Sequence, residues 1–186
     1  MKAGENRQRI VSAASYLFSE RGYADTSIAD IAAHAGLLKG NLSYYFITKA
    51  ALLECVTQAH KKELISRLTS RLHHDASAQE AIEQFLQTVE DSASELARIG
   101  CPVGTLCSEL GKDDSVLQPH AAHILETLRQ WLAQQFGRIV TPAAAQDHTE
   151  HLLSMMQGAA VLAHTFRDPD LVLRRVSAAR DWLRTI

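Results

Sequence analysis

Long apolar runs and prolines are scarce in this chain of 186 residues. It has no run of about 18 apolar residues, which a helix needs to cross a membrane, so we expect no membrane span. The first ten residues, MKAGENRQRI, are charged and lack the apolar core of a secretory signal, which predicts a cytoplasmic protein. Four prolines and 46% apolar residues together favour a compact helical protein of one or two domains.

Sequence signatures of enzymes are also missing. We find no Gly-rich phosphate loop, no strand-borne nucleophile elbow and no paired acid/base motif, and we predict no cofactor. The pairs His120/His123 and His148/His151 have helical i, i+3 spacing, but no third ligand can be assigned. We therefore expect surface histidines and no metal site.

The apolar residues follow helical periods, and strand-like alternation is absent, so the sequence predicts an all-α fold. Glycines after apolar stripes, a capping box at Ser77 and Glu80, and prolines at helix starts divide the chain into nine helices. The first three form an N-terminal domain over residues 1–48, and the other six form a C-terminal domain over residues 49–186. A long helix over residues 49–72 is expected to link the two domains.

Residues 26–49 predict two short helices joined by a glycine turn, which is the form of a helix-turn-helix motif. Thr26 and Ser27 can cap the first helix, Gly36 can end it, and Ala32 is small where the helices cross. On the second helix, a cation, an amide and hydroxyl groups remain on the face away from the core, where they can reach phosphates and base edges. The predicted DNA-contact residues are Thr26, Ser27, Leu38, Lys39, Gly40, Asn41, Ser43, Tyr44, Tyr45 and Lys49.

The distribution of charge agrees with this prediction. The chain has a formal net charge of −2, yet residues 1–62 hold eight Lys/Arg against five Asp/Glu, a net charge of +3. Basic residues therefore concentrate in the part that contains the helix-turn-helix, as contact with phosphates requires.

The pattern of the N-terminal segment resembles the DNA-binding domain of TetR-family transcriptional regulators over residues 7–55. The matching residues are Gly22, Thr26, Ser27, Ile31, Ala32, Ala35, Gly36, Lys39, Gly40, Leu42, Tyr45, Phe46 and Lys49. Two positions depart from the pattern: Leu38 stands where a small polar residue is usual, and Ser43 where an aromatic residue is common. Leu38 either touches a thymine methyl group or begins its helix without a good cap.

A broad apolar stripe between Leu152 and Phe166 indicates either a self-associating helix or the core of the monomer. Gly158, Ala159 and Ala160 would let a second backbone approach closely. The family resemblance favours self-association, because it implies a homodimer through the last two helices, about residues 142–186. Such a dimer would place two recognition helices on a two-fold symmetric double-stranded operator, about 34 Å apart.

The segment GCPVGTLCSELG, residues 100–111, is the second unusual stretch. Cys101 precedes Pro102 at a predicted helix start, where the helix dipole favours a thiolate, whereas Cys107 lies on an apolar stripe. Cys101 is therefore either an inert capping residue or a sensor of thiol-reactive compounds, with His164 as a candidate partner. The segment resembles one found in a subgroup of TetR-like regulators, some of which respond to reactive small molecules.

These observations lead to one principal hypothesis and two alternatives. We expect a dimeric, sequence-specific DNA-binding regulator, a repressor by family default, which a small-molecule effector releases through the C-terminal ligand-binding and dimerisation domain. The alternatives are a helical protein-interaction module without sequence-specific DNA binding, and an enzyme that uses Cys101 and a histidine.

Overall fold

The computed structural model describes residues 3–70, 72–73, 75–112 and 117–186. Within these ranges all regular secondary structure is helical, and no strand occurs, which confirms the predicted all-α fold. The helices are Ala3–Arg21 (α1), Ile28–His34 (α2), Lys39–Tyr45 (α3), Lys49–Thr69 (α4), Ala78–Asp91 (α5), Ala93–Ile99 (α6), Pro102–Lys112 (α7), Gln118–Phe136 (α8), Pro142–Phe166 (α9) and Asp170–Leu183 (α10).

The structure interrupts one of the nine predicted helices at Ser92. This residue ends α5 and begins α6, and its hydroxyl donates to the Thr88 carbonyl at 2.8 Å. A serine that bonds back to the carbonyl four residues earlier competes with the regular helical pattern. The predicted helix that ends at Gly100 is thus two segments, and the described residues contain ten helical segments.

Local sequence signals set several helix ends as predicted. The Ser77 hydroxyl accepts from the Glu80 amide at 3.2 Å, and a Glu80 carboxylate oxygen accepts from the Ser77 amide at 2.7 Å. This capping box begins α5.

Helix α4 ends at Thr69, earlier than the predicted residue 72, and Arg71 within that predicted span lies outside the described residues.

Contacts between helices divide the chain into two compact units, which differ from the predicted domains. The first unit contains residues 1–61 and 102–124, and the second contains residues 62–101 and 125–186. The sequence assigned residues 102–124 to the C-terminal domain, but Leu106 and Leu110 of α7 are buried in the same apolar core as α1. The division of functions at residue 48 remains a prediction.

Each unit has its own apolar core. In the first, α1 buries Ile10, Leu17 and Phe18 against α2, α3, the start of α4 and α7. In the second, helices α5, α6, α9 and α10 pack together, with Phe136 of α8 fully buried among them. The first core is what positions the helix-turn-helix, because α2 and α3 both bury residues in it.

Candidate nucleic-acid interface

Helix α2 is held at both ends by interactions with near neighbours in the sequence. Ser27 is its N-cap: the Ser27 hydroxyl accepts from the Asp30 amide at 3.1 Å, and Asp30 Oδ2 accepts from the Ser27 amide at 2.9 Å. The Ser27 hydroxyl also donates to Asp30 Oδ2 at 2.5 Å, and this bond, followed by the bond from the Ser27 amide, lowers the pKa of the Asp30 carboxyl. After α2, Gly36 has a φ of +64°, a conformation that suits glycine, and the chain turns there into α3.

Helix α3 places its apolar and polar residues on different sides. Leu42 is fully buried, and Ala32 of α2, also buried, leaves room where the two helices cross. Leu38 is the N-cap but makes no side-chain cap hydrogen bond, and its side chain is 77% exposed. It is therefore an uncapped helix start whose apolar side chain is also accessible to a thymine methyl group.

Polar groups on α3 are accessible together. Lys39, Gly40, Asn41, Ser43 and Tyr44 are all exposed, and Tyr44 is 84% exposed. No atom lies within 4 Å of where a Cβ would stand on Gly40, so a DNA backbone could approach closely there. The face offers an ammonium, a carboxamide and two hydroxyl groups, the donors and acceptors that read phosphates and base edges.

Ile47 is an exposed residue that the sequence reasoning missed. It follows α3 and is 92% exposed, more than any other large apolar side chain found exposed in the described residues. The sequence did contain a signal of this exposure: Ile47 lies two residues before Lys49 and outside the apolar stripe of either flanking helix. Its side chain extends the apolar surface available at the end of α3.

Tyr45, one of the predicted DNA-contact residues, is half-buried. Its ring is partly buried against the first core and lies edge-on to Tyr44, with 5.3 Å between the ring centroids. Its hydroxyl accepts a hydrogen bond from Asn6 Nδ2 at 3.4 Å. A contact between Tyr45 and DNA stays a prediction.

The structure contradicts the predicted capping role of Thr26. Its side chain is buried, and its hydroxyl donates to the Gly22 carbonyl at 2.7 Å, so it stabilises the turn before α2 while Ser27 forms the cap. A buried hydroxyl that is bonded to the protein is not available to a phosphate.

Lys49 has intramolecular contacts that the sequence did not predict. Its ammonium donates to the carbonyls of Tyr23 and Thr26 at 2.7 and 3.0 Å and lies 4.2 Å from the centroid of the Tyr23 ring. Burial lowers the pKa of this lysine, and the negative charges of Glu109 and Asp25 act in the opposite direction. A contact between Lys49 and DNA stays a prediction, since the ammonium is engaged within the protein.

Comparison with known proteins identifies both parts of the chain. Residues 10–56 match the family model of bacterial regulatory proteins of the tetR family, and residues 78–179, more than half of the chain, match the LmrA/YxaF-like transcriptional regulator C-terminal domain. The chain belongs to the TetR family of transcriptional regulators. It is a helix-turn-helix DNA-binding regulator, and repression and response to an effector are typical of its family.

Individual relatives of this TetR-family regulator match along nearly its whole length. The HTH-type transcriptional regulator LmrA of Bacillus subtilis (strain 168) is 26% identical over 190 residues, which cover 99% of this chain and 100% of the relative. An uncharacterised HTH-type regulator in the lacX 3' region of Lactococcus lactis is 25% identical over 169 residues, or 87% and 85% of the two chains. A TetR regulator from Chloroflexus aurantiacus shares the fold, with a TM-score of 0.84, 21% identity and coverage of 97% and 95%.

The predicted sensing residues of this TetR-family regulator lie before α7, on α7 and on α9. Cys101 directly precedes α7, and its sulfur lies 3.5 Å from Gln157 Nε2 of α9. The ring of His164 lies beside Gly100, and its Nδ1 is 3.3 Å from a guanidinium nitrogen of Arg167. Cys107 instead packs against the core of the first unit.

An open groove of about 820 Å³ lies between α5 and the end of α10 in the second unit. Its lining includes Gln84, Gln87, Arg180 and Leu183. Arg180 is paired with Glu83, at 2.6 Å between Nε and Oε1. The groove therefore combines charged and amide groups with apolar surface.

Helix α9 has two apolar faces, which settles part of the open question about its stripe. Ala159 and Ala160 are each 2% exposed, so they pack within the monomer and do not provide the predicted close approach to a second copy. Val161, Leu162 and Phe166 are 61%, 46% and 66% exposed, and Gly158 has open space around it. Leu173 of α10 is also exposed, at 38%, and we call these four large apolar side chains the α9–α10 surface.

Two further findings concern the rest of the described chain. His148 and His151 pack around Trp182, at 5.3 and 4.8 Å between ring centroids, and no group of three potential metal ligands occurs among the described residues. None of the helices in the described ranges has the length and apolarity needed to cross a bilayer.

Proposed function

We propose that this regulator binds a two-fold symmetric operator as a homodimer, represses transcription there, and is released by a small-molecule effector. The exposed face of α3 is the observation that carries this proposal. The proposed contacts are Ser27, Leu38, Lys39, Gly40, Asn41, Ser43 and Tyr44, with Ile47 added by its exposure. Lys39 supplies the cation for a phosphate, while the polar groups and Leu38 read base edges.

Homodimer formation is proposed through the α9–α10 surface. Monomeric proteins rarely expose a contiguous group of large apolar side chains without a binding function. A two-fold axis through this surface would bring both copies of Val161, Leu162 and Phe166 into one apolar contact. Regulators of this family bind DNA and dimerise, which supports this assignment.

The experiment that tests DNA recognition is selection of duplexes from a random-sequence pool by the purified protein. We expect a two-fold symmetric sequence to be enriched and its binding to weaken steeply with salt. Lys39→Ala should lower the salt slope by about 0.9 per lost phosphate contact, hence by about 1.8 for a dimer. Tyr44→Ala should weaken binding and relax the preference at one base of each half-site.

Lys62→Ala is the matched control, since Lys62 is also an exposed lysine but lies on α4, away from the helix-turn-helix segment. It should leave the selected sequence unchanged. The protein-interaction alternative would be favoured if the parent protein enriches no DNA sequence and if its weak DNA binding is the same in Lys39→Ala and Tyr44→Ala.

Effector sensing through Cys101 is the second part of the proposal. This thiol directly precedes α7, and its sulfur lies 3.5 Å from Gln157 Nε2, an amide donor. N-ethylmaleimide, which alkylates thiolates, should release the parent protein from its selected duplex. Cys101→Ser should remain bound after the same treatment, whereas Cys55→Ser and Cys107→Ser should be released like the parent. A Cys101→Ser protein that is released as readily would assign Cys101 an inert structural role.

A further inference from the structure

The turn between α1 and α2 is held by two oppositely charged side chains from other helices. Glu109 of α7 accepts hydrogen bonds from the amides of Tyr23 and Ala24, at 2.8 and 2.5 Å. Lys49 of α4 donates to the carbonyls of Tyr23 and Thr26, at 2.7 and 3.0 Å. Both amides and carbonyls of the turn backbone are thus engaged, and we call this arrangement the turn clamp.

The local sequence is built to admit the Glu109 carboxylate. Gly22 ends α1 with a φ of +85°, and a Cβ on this residue would lie only 2.9 Å from Glu109 Oε2. The two amides that follow lie in a turn, outside any helix that could bond them. Hydrogen bonds from amides to an ionised carboxylate are stronger than those between neutral groups, so Glu109 fixes the turn firmly.

The groups of the turn clamp also influence one another electrically. Burial raises the pKa of Tyr23, and the charge of Glu109 adds to this effect. Burial lowers the pKa of Lys49, while Glu109 favours its charged form. The carboxylate therefore accepts from the two amides directly and also favours the charged form of the Lys49 ammonium.

The clamp residues lie on helices that connect with the second unit along the chain. Helix α4 begins at Lys49 in the first unit and continues beyond residue 61 into the second. Helix α7 begins at Pro102, directly after Cys101, where the chain leaves the second unit. These are two of the three points at which the chain passes between the units.

The turn also leads directly into the DNA-binding helices. Thr26, which accepts from Lys49 through its carbonyl, is buried and precedes Ser27, the N-cap of α2. Helix α2 packs against α3 through Ala32 and Leu42, so the placement of the turn sets that of both helices. A displacement of α7 would therefore move α3 through the turn and α2.

We propose that Glu109 is a positioning residue for operator binding, which transmits the placement of α7 to the helix-turn-helix through the turn clamp. This inference rests on the proposed use of α3 in operator recognition. It assigns a role to the glutamate of the 100–111 segment, which sequence reasoning singled out for its cysteines.

The test measures binding of Glu109→Ala and Glu109→Gln to the fluorescein-labelled duplex that the parent protein selects. Removal of a negative charge near DNA should by itself tighten binding. We expect the opposite, a weakening of about tenfold for Glu109→Ala, within the range usual for coupling between sites. Glu109→Gln, which keeps one oxygen able to accept from an amide, should recover part of the affinity.

Three further readouts separate positioning from loss of folded protein. Stoichiometric titration gives the active fraction, so a fall in affinity is not mistaken for misfolding. The salt slope should equal that of the parent, because no phosphate contact is lost. Hydrogen exchange at the Tyr23 and Ala24 amides should accelerate in Glu109→Ala. Glu54→Gln, which removes an exposed carboxylate of α4 in the same unit, is the matched control and should bind like the parent or more tightly.

The outcomes are distinguishable. Parent-like or tighter binding by Glu109→Ala, with accelerated exchange at the two amides, would overturn the positioning role while leaving the proposed function intact. If Glu109→Ala does not fold, the same comparison between Glu109→Gln and Glu54→Gln decides. A parent protein that selects no duplex would overturn the proposed function and this inference together.

Discussion

Replacement of Phe166 by alanine should separate the proposed dimer into monomers without unfolding either one. Phe166 is the last residue of α9, and 66% of its surface is exposed in the single chain. Alanine has the highest helix propensity, so the change costs the helix nothing. Loss of association is then the expected result of removing an apolar contact between two copies.

The size of the effect follows from the exposed area. An aromatic side chain can bury about 200 Å², so the exposed part of Phe166 corresponds to about 130 Å² and, at about 25 cal/mol per Å², to about 3 kcal/mol per copy. Two-fold symmetry doubles this to about 6 kcal/mol for the dimer. If the interface covers half of that area, the loss is about 3 kcal/mol, which raises the dimer Kd about 100-fold.

Sedimentation equilibrium over a range of protein concentrations measures this Kd directly. Ile47→Ala is the matched control, since it also removes a highly exposed apolar side chain but from the first unit, and it should keep the dimer Kd of the parent. A Phe166→Ala protein with parental helical content and an unchanged Kd would refute the assignment of the interface to the α9–α10 surface.

Three further predictions concern the stability of the DNA-binding part. Ser27→Ala should lower the free energy of unfolding by about 1 kcal/mol in urea titrations, because α2 loses its cap; an unchanged midpoint would contradict the assigned cap. Because its hydrogen bonds with Ser27 lower the pKa of Asp30 in the folded state, the stabilisation by this carboxylate is present at neutral pH and lost as the pH falls below about 4. The difference in free energy of unfolding between the parent and Asp30→Asn should therefore vanish in acid. A difference that persists at low pH would show that the ionised carboxylate is not its source. Gly22→Ala should lower the free energy of unfolding by more than about 1 kcal/mol, since residue 22 has a positive φ and its Cβ would approach Glu109 closely. Urea unfolding followed by circular dichroism measures this free energy, and an unchanged value would contradict the prediction.

Features that depend on near neighbours in the sequence were predictable. The capping boxes at Ser27 and Ser77 each join residues three positions apart, and both form in the structure. The turn at Gly36 likewise needs only the conformation of one residue. Helix periods and caps are local properties, so the all-α fold and most helix starts could be derived from the sequence alone.

Features that depend on distant partners were not predictable. Lys49 was assigned to a DNA backbone, but its carbonyl partners lie 23 to 26 residues away in the chain. Ala159 and Ala160 were expected to allow a close approach between copies, yet both are buried in the single chain. Helical spacing shows which residues share a face, but it does not show what packs against that face.

The same distinction explains why the family could be identified from the sequence while the operator could not. Several residues that match the family pattern shape the helix-turn-helix from inside: Gly22, Thr26, Ala32, Gly36, Leu42 and Lys49. The two departures from the pattern, Leu38 and Ser43, are both exposed on α3. Helix α3 has only seven residues and no side-chain cap, so it depends for its placement on burial of Leu42 and on its packing against α2. Shape is therefore carried by residues common to the family, and we propose that base preference depends on exposed residues that include Leu38 and Ser43.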